Sequence, residues 1–347
     1  MHQEPIMQAK SLPLPLTEYD EPLISVIVPV FQGERLIEGA VQSVLSQSHR
    51  NLEVIVVDDG STDATLAKVQ RLVDPRLRVI AQNNAGTAAA RNSAIEIARG
   101  DYIAFLDCDD RWFPTKLAVE LRVLRDAEPD IGIAYSSFYA VDDRGRLLNA
   151  APARTVCGDV FELLLDGDDF LMPSVCLFDR RVVEAIGHFN ARNYHEDHEF
   201  ILRATKKYPI FPTRERLIVY RQSTSGKCRS ILQDFDRARA AELATIEYVN
   251  DALNENQLDR LRENALRSLS CRFLMYGFNR HARRLLKEID ASRLRTNKKG
   301  WLAWIFARSG INLLQAARLV IQAMHLVFLQ PAWSRLLARA PLALSYD

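Results

Sequence analysis

The stretch Phe105-Leu106-Asp107-Cys108-Asp109-Asp110 constrains this chain more than any other. The apolar run leading into it, Tyr102-Ile103-Ala104-Phe105-Leu106, carries no turn former and reads as a buried strand. It ends abruptly in three carboxylates, Asp107, Asp109 and Asp110. A buried strand with charges at its carboxyl end belongs in an open α/β sheet, whose ligands bind in the crevice beyond the strand ends. Like charges this close repel one another and resist desolvation. A bound cation relieves both penalties, and hard oxygen donors suit Mg²⁺ or Mn²⁺. Alternate residues of an extended chain point to opposite sides, so Asp107 and Asp109 share one task only if the strand bends or ends between them. The plain alternative is an Asp-rich surface turn.

The segments before this stretch repeat a strand–helix rhythm. Ile24–Phe31 is a β-branched run broken near its end by Pro29, followed by helical spacing over 35–48. Leu52–Val57 is a second strand running into Asp58-Asp59-Gly60-Ser61-Thr62-Asp63, with a helix from Asp63 to Leu72 that Ser61 or Thr62 can cap. A short strand over 77–81 and a helix over 88–98, carrying Arg91 and Asn92, complete the series. Strands and helices in such short units mean βαβ crossovers and a mostly parallel sheet flanked by helices. Further on, helices are expected over 115–127, 160–165 and 180–186, and strands over 131–141, 174–178 and 217–220. Tyr194-His195-Glu196-Asp197-His198-Glu199 precedes apolar Phe200, Ile201 and Leu202, so an acidic cluster opens a helix. From 231 the pattern is helical throughout. The expected organisation is a loose tail (1–22), an α/β domain (23–230) and a helical C-terminal region (231–347).

Composition narrows the class. The net charge of +1 implies no polyelectrolyte partner for the chain as a whole, so no nucleic acid is expected. Five cysteines scattered singly, with no Cys-x-x-Cys, fit a reducing compartment and speak against a zinc knuckle. Met1–Pro22 lacks the basic and apolar regions of a signal peptide, so a cytoplasmic location is expected. From Arg280 onward, twelve Lys/Arg face three Asp/Glu, an asymmetry that suits an anionic surface. The apolar segment Ile311–Leu329 has one narrow polar stripe and Arg318 near its middle. It reads first as a packed or membrane-surface helix and last as a spanning one.

Four features converge chemically. Asp58 or Asp59 can accept from a pyrimidine N3–H or bond a ribose hydroxyl, and Arg91 can face a diphosphate with its fork of donors. Asp107 and Asp109 supply metal ligands, and a metal on a diphosphate neutralises a leaving group. Glu196-Asp197 is a second acidic site that can take a proton from a nucleophile. The Arg221–Ser230 loop, with Arg221, Lys227 and Arg229, is a candidate flap over the diphosphate.

These motifs, in this order and spacing, resemble glycosyltransferase family 2. They are Ser25–Phe31, Val56–Asp63, Ala89-Ala90-Arg91-Asn92, Gly100–Asp110 and Glu196-Asp197, and the resemblance covers residues 23–225. It implies the GT-A fold and inverting transfer of a sugar from a nucleotide donor, UDP-sugars first, to a saccharide or lipid-linked hydroxyl. It puts Pro29 and Asp59 at the nucleotide base, Asp107 near ribose and metal, Asp109 on the metal, Arg91 near the diphosphate and Asp197 at the catalytic base. Glu196 is left to orient the site or contact the acceptor. The motifs resemble those of enzymes building bacterial surface polysaccharides at the cytoplasmic face of the membrane; the expectation of peripheral membrane contact rests separately on the C-terminal helices, through the apolar 311–329 segment and the basic surplus after Arg280. Cys108 departs from the Ser or Ala commoner at that position.

Other classes fit less well. A phospho-receiver would be shorter and would lack the second acidic cluster. His195 and His198 lack a third zinc ligand motif. No dinucleotide glycine fingerprint or Gly-Lys-Ser/Thr loop is present, which argues against dehydrogenases and NTPases. A nucleotidyltransferase would carry a Gly-rich basic loop where Pro29–Glu34 has one glycine and no lysine. A non-catalytic binding module of the same fold would be expected to have lost one of Asp59, Asp109 and Asp197, and all three are present.

Overall fold

The structure, a computed structural model, describes residues 21–150, 153–166, 170–191, 195–222, 232–249, 253–275 and 278–288. The readings of the 1–20 tail, the 223–230 flap and the 311–329 segment therefore lie outside the described residues.

The chain divides into two units. The first holds the described residues up to Val160, with Phe170–Ala191 and Glu196–Gln222. Its amino-terminal half is the expected alternation: β1 (Ile24–Val30), α1 (Ile37–Leu45), β2 (Leu52–Asp58), α2 (Thr65–Gln70), β3 (Leu77–Ala81), α3 (Thr87–Ile95) and β4 (Tyr102–Phe105). Every residue of β1 and β2 is buried, as strands covered by helices on both faces require. The remainder comprises β5 (Arg111–Trp112), α4 (Lys116–Asp126), β6 (Ile133–Val141), β7 (Leu147–Asn149), β8 (Cys176–Asp179), α6 (Arg180–Ile186), α7 (Glu196–Lys207) and β9 (Ile210–Arg221). Here α5 (Phe161–Leu165) is counted in chain order but belongs to the second unit.

The sheet runs β3-β2-β1-β4-β8-β6-β9-β5, with β7 on β6. It is parallel from β3 to β4 and mixed beyond, since β8 is antiparallel to both β4 and β6 while β6 and β9 are parallel. Strand order reverses between β1 and β4, and this is the switch point where open α/β sheets form their crevice. Pro29 marks it. The last β1–β4 ladder bond runs from Leu106 N–H to the Ile27 carbonyl, so the N–H that proline lacks falls on the side where β4 has ended.

Helix α2 begins two residues later than expected, and neither Ser61 nor Thr62 caps it. Their hydroxyls accept instead from the backbone and side chain of Gln32. Asp63, one residue before the N-cap Ala64, accepts from Thr65 N–H at 3.0 Å.

The second unit consists of the described residues within 161–169, 192–195 and 223–347, so two short stretches of the expected α/β domain group with the helices. Its helices are α5, α8 (Phe235–Val249), α9 (Glu255–Met275) and α10 (Asn279–Leu286). Leu232, Phe235, Leu266, Leu269, Phe273 and Leu285 form its apolar core. Arg260 of α9 pairs with Glu162 of α5 and with Asp166, which ties the 161–166 stretch to this unit. Among the described residues, no helix is long and apolar enough to cross a membrane.

Candidate active site

Beyond β4 the chain turns sharply, with Asp110 N–H bonded to the Asp107 carbonyl at 3.0 Å. That turn is the bend needed for neighbouring carboxylates to serve one site. Asp107 keeps a side-chain exposure of 38%, whereas Asp110 is buried. Burial, and then the charge of Asp107, pushes the Asp109 carboxyl up to about 6. Asp110 is driven well above the ordinary range by burial and by Asp109 and Asp107. The Cys108 thiol is raised for the same reasons, which leaves it a small apolar filler.

Among the described residues, no group of three or more His, Cys, Asp or Glu is arranged to hold a metal ion. The donor set nevertheless fits a hard divalent cation. Mg²⁺ and its like bind through one or two carboxylates, completing their shell with water and substrate phosphate. The unrelieved charge conflict at Asp109 is what such an ion would remove.

On the other side of the switch point, Asp59 is buried and both its oxygens are engaged. Oδ1 accepts from Gln82 Nε2 at 2.7 Å and Ala85 N–H at 2.9 Å, and Oδ2 accepts from Gly86 N–H at 2.8 Å. It therefore shapes the 82–86 loop, with one lone pair, on Oδ2, left for a ligand. Asp58 accepts from Ser61 N–H at 3.4 Å and helps hold the turn at Gly60. Gly60 has φ +77°, and a Cβ there would come within 2.8 Å of Asn84 N, so glycine is required.

Arg91 is placed where periodicity could not anticipate. Its guanidinium is buried, with Nη2 at 2.7 Å from Asp107 Oδ1 and Nη1 at 3.5 Å from Glu196 Oε1. Arg221, at the end of β9, is also buried. It donates to the carbonyls of Asp142 and Asp143 at 3.0 Å each and of Asp109 at 3.4 Å. Glu196 and Asp197 occupy the first turn of α7, as expected, with Asp197 Oδ1 accepting from His198 N–H. Asp197 acts electrostatically on the same groups. The Tyr220 phenol is raised by burial, then by Asp110, Asp107, Asp109 and Asp197 in turn. The structure thus brings Asp107, Asp109, Arg91, Glu196 and Asp197 into one neighbourhood. His195 does not join a metal cluster with His198; its Nε2 lies 2.6 Å from Glu242 Oε2 within the helical unit.

Asp110 is named in the sequence as the third carboxylate of the run but is given no role there; Tyr220 and Phe189 are not singled out at all. The last two carry no signal, being brought in by contacts across the sheet and from α3.

The mixed sheet with its flanking helices is that of a GT-A domain. Of solved structures, S. aureus TarS in complex with UDP-GlcNAc matches with a TM-score of 0.56 at 20% identity, over 83% of this chain and 87% of that one. The mannosyltransferase PcManGT from Pyrobaculum calidifontis, in complex with GDP-Man and Mn²⁺, matches with a TM-score of 0.52 at 18% identity, over 92% of this chain and 84% of the other. The family model of glycosyl transferase family 2 matches residues 25–187. A Haemophilus influenzae glycosyltransferase is 32% identical over 189 residues, 54% of this chain and 73% of its own length. The chain belongs to glycosyltransferase family 2. The Escherichia coli UDP-Glc:alpha-D-GlcNAc-diphosphoundecaprenol beta-1,3-glucosyltransferase WfaP is 38% identical over 122 residues, 35% of this chain and 48% of WfaP. A Rickettsia felis glycosyltransferase is 34% identical over 154 residues, 44% of this chain, and the chain spans only 25% of that relative's length.

Proposed function

We propose that this chain is an inverting, metal-assisted transferase that moves a sugar from a nucleotide-diphosphate donor, a UDP-sugar, to a hydroxyl of a saccharide or lipid-linked acceptor. The observation carrying this reading is that one buried guanidinium, Arg91, lies within ion-pair distance of both Asp107 and Glu196. Two acidic groups from distant parts of the chain are therefore held on either side of one guanidinium, which supports a site shared by both. A single displacement needs this, with the leaving group on one side and a base on the other.

In this reading Pro29, Asp58 and Asp59 form the end of the crevice that receives the nucleoside. Asp107 faces the ribose, and Asp107 and Asp109 hold Mn²⁺ or Mg²⁺. The bound ion supplies charge neutralisation for the departing diphosphate. Arg221 serves the donor side by clamping the carbonyls of Asp109, Asp142 and Asp143. Asp197 takes the proton of the attacking hydroxyl, and Glu196 orients it. Adjacent helical residues point about 100° apart, so only one of the pair acts as base. The amino end of α7 favours negative charge at both.

The printed names of similar proteins support the substrate class. WfaP uses a UDP-Glc donor and a diphosphoundecaprenol-linked acceptor, and PcManGT was solved with Mn²⁺. A lipid-linked acceptor implies work at the inner face of a membrane. The exposed cations of the α10 segment, Arg280, Arg283, Arg284 and Lys287, suit an anionic leaflet, each contributing on the order of 1 kcal/mol. The test is to incubate the protein with Mn²⁺, a panel of UDP-sugars and a polyprenyl-diphosphate sugar. Release of UDP with a glycosylated lipid supports the reading. Pyrophosphate release, or no binding of any nucleotide diphosphate, refutes it.

A further inference from the structure

Arg91 and Asn92 are consecutive residues of α3, and both reach the segment that leads into α7. Asn92 holds the backbone of Phe189 from both sides, its Nδ2 donating to the carbonyl and its Oδ1 accepting from the N–H, each at 2.8 Å. The Phe189 ring stacks on Phe200 of α7 at 3.9 Å with an interplanar angle of 6°. The Arg91 guanidinium sits 5.0 Å from the centroid of the same ring. Its ends reach Asp107 at 2.7 Å and Glu196 at 3.5 Å. With the Arg91 side chain 4% exposed, this guanidinium has almost no surface to offer a diphosphate. Its Nε and Nη1 make no hydrogen bond, so the group is fixed by two carboxylates and a ring rather than by a full set of donors.

We propose that Arg91, with Asn92 beside it, is a positioning residue. It is a buried strut that holds Glu196, and so the first turn of α7, at a set distance from Asp107, without touching the donor. This rests on the transferase reading. It changes the role of Arg91 from a diphosphate contact to a group that acts through two carboxylates. Bidentate spacing of this kind suits arginine and not lysine, because a single ammonium cannot span both partners.

The experiment uses the full chain with Mn²⁺ and compares R91M, R91K, E196Q and R91M/E196Q. Affinities for UDP and UMP are measured by calorimetry. The kcat and KM are measured on whichever of UDP-glucose, UDP-galactose and UDP-GlcNAc the wild type turns over. A strut predicts that R91M lowers kcat by about 100-fold, the cost of roughly 1 Å of misplacement. KM and both affinities should stay within about threefold, since donor contacts remain. R91K should recover part of the kcat, and the double variant should be no worse than the worse single one, because the pair acts as a unit. Loss of UDP affinity far exceeding loss of UMP affinity in R91M would make Arg91 a diphosphate contact and overturn the proposal. Additive effects of R91M and E196Q would overturn it too. If R91M does not fold, R91K decides, and wild-type kcat in R91K is then the contrary result. A wild type that binds no UDP and releases none from the panel refutes the transferase reading itself, and the strut with it.

Discussion

The backbone N–H of Arg221 donates to Oδ1 of Asp110 at 2.9 Å, joining residues 111 positions apart. The bond fixes the end of β9 to the carboxylate turn, while Asp110 Oδ2 is buried without a hydrogen-bond partner. Asp110→Asn keeps an acceptor for Arg221 N–H and removes a carboxyl whose charged form burial and the neighbouring Asp109 and Asp107 disfavour. In metal-free protein its melting temperature should equal or exceed that of the wild type. Asp110→Ala strands the N–H and should lose about 1–3 kcal/mol. Calorimetric melting of the two variants checks both expectations.

Acid stability should depend on Glu242. Burial alone would raise its carboxyl, but the charges of Arg272 and His195 outweigh burial and bring it down to about 2. A carboxyl held below its ordinary value stabilises the fold above that value and loses the contribution as pH falls. The window lies between about pH 4.5 and 2, and the loss is on the order of 3 kcal/mol. Denaturant titrations across this range should show a steep acid limb for the helical unit. Glu242→Gln should flatten it.

The base assignment predicts a separation of chemistry from binding. Asp197→Asn keeps size and removes basicity, so turnover should fall by roughly 10²–10⁴ while UDP affinity holds. Parallel rate and calorimetric measurements decide. Near-normal transfer would pass the role to Glu196, and lost UDP binding would move Asp197 to the donor side.

Membrane contact should be electrostatic. The protein should sediment with anionic liposomes at low salt and not at high salt, since surface charges are screened over about 8–10 Å at moderate ionic strength. Replacing Arg280, Arg283 and Lys287 by Glu should abolish sedimentation while leaving UDP binding in place. Equal sedimentation with neutral liposomes would rule this contact out.

The first four strands and their helices were legible because each strand is apolar at nearly every position and each helix repeats at helical spacing. β9 was not. Its first half, Ile210-Phe211-Pro212-Thr213-Arg214-Glu215-Arg216, mixes proline and charge and bends at Arg214, where φ is +63°. Only the apolar 217–220 portion looked like a strand. The two-residue β5 exists through its pairing with Val219 and Ile218 of β9, and no local pattern encodes that. The acidic site residues were visible as motifs. What they do to each other was not, because Arg91 meets Asp107 and Glu196 only after the sheet and α7 are in place. The pairing of Glu162 and Asp166 with Arg260 is likewise long-range, and helical periodicity carries no trace of it.

Calorimetry of UDP with and without Mn²⁺ reads whether Asp107 and Asp109 hold a divalent ion against a nucleotide diphosphate, with no acceptor needed. Mn²⁺ should tighten UDP binding by about tenfold or more in the wild type, roughly 1.4 kcal/mol. The enhancement should vanish in Asp109→Ala. Undiminished Mn²⁺ enhancement in that variant, or a wild type indifferent to the metal, would contradict that assignment.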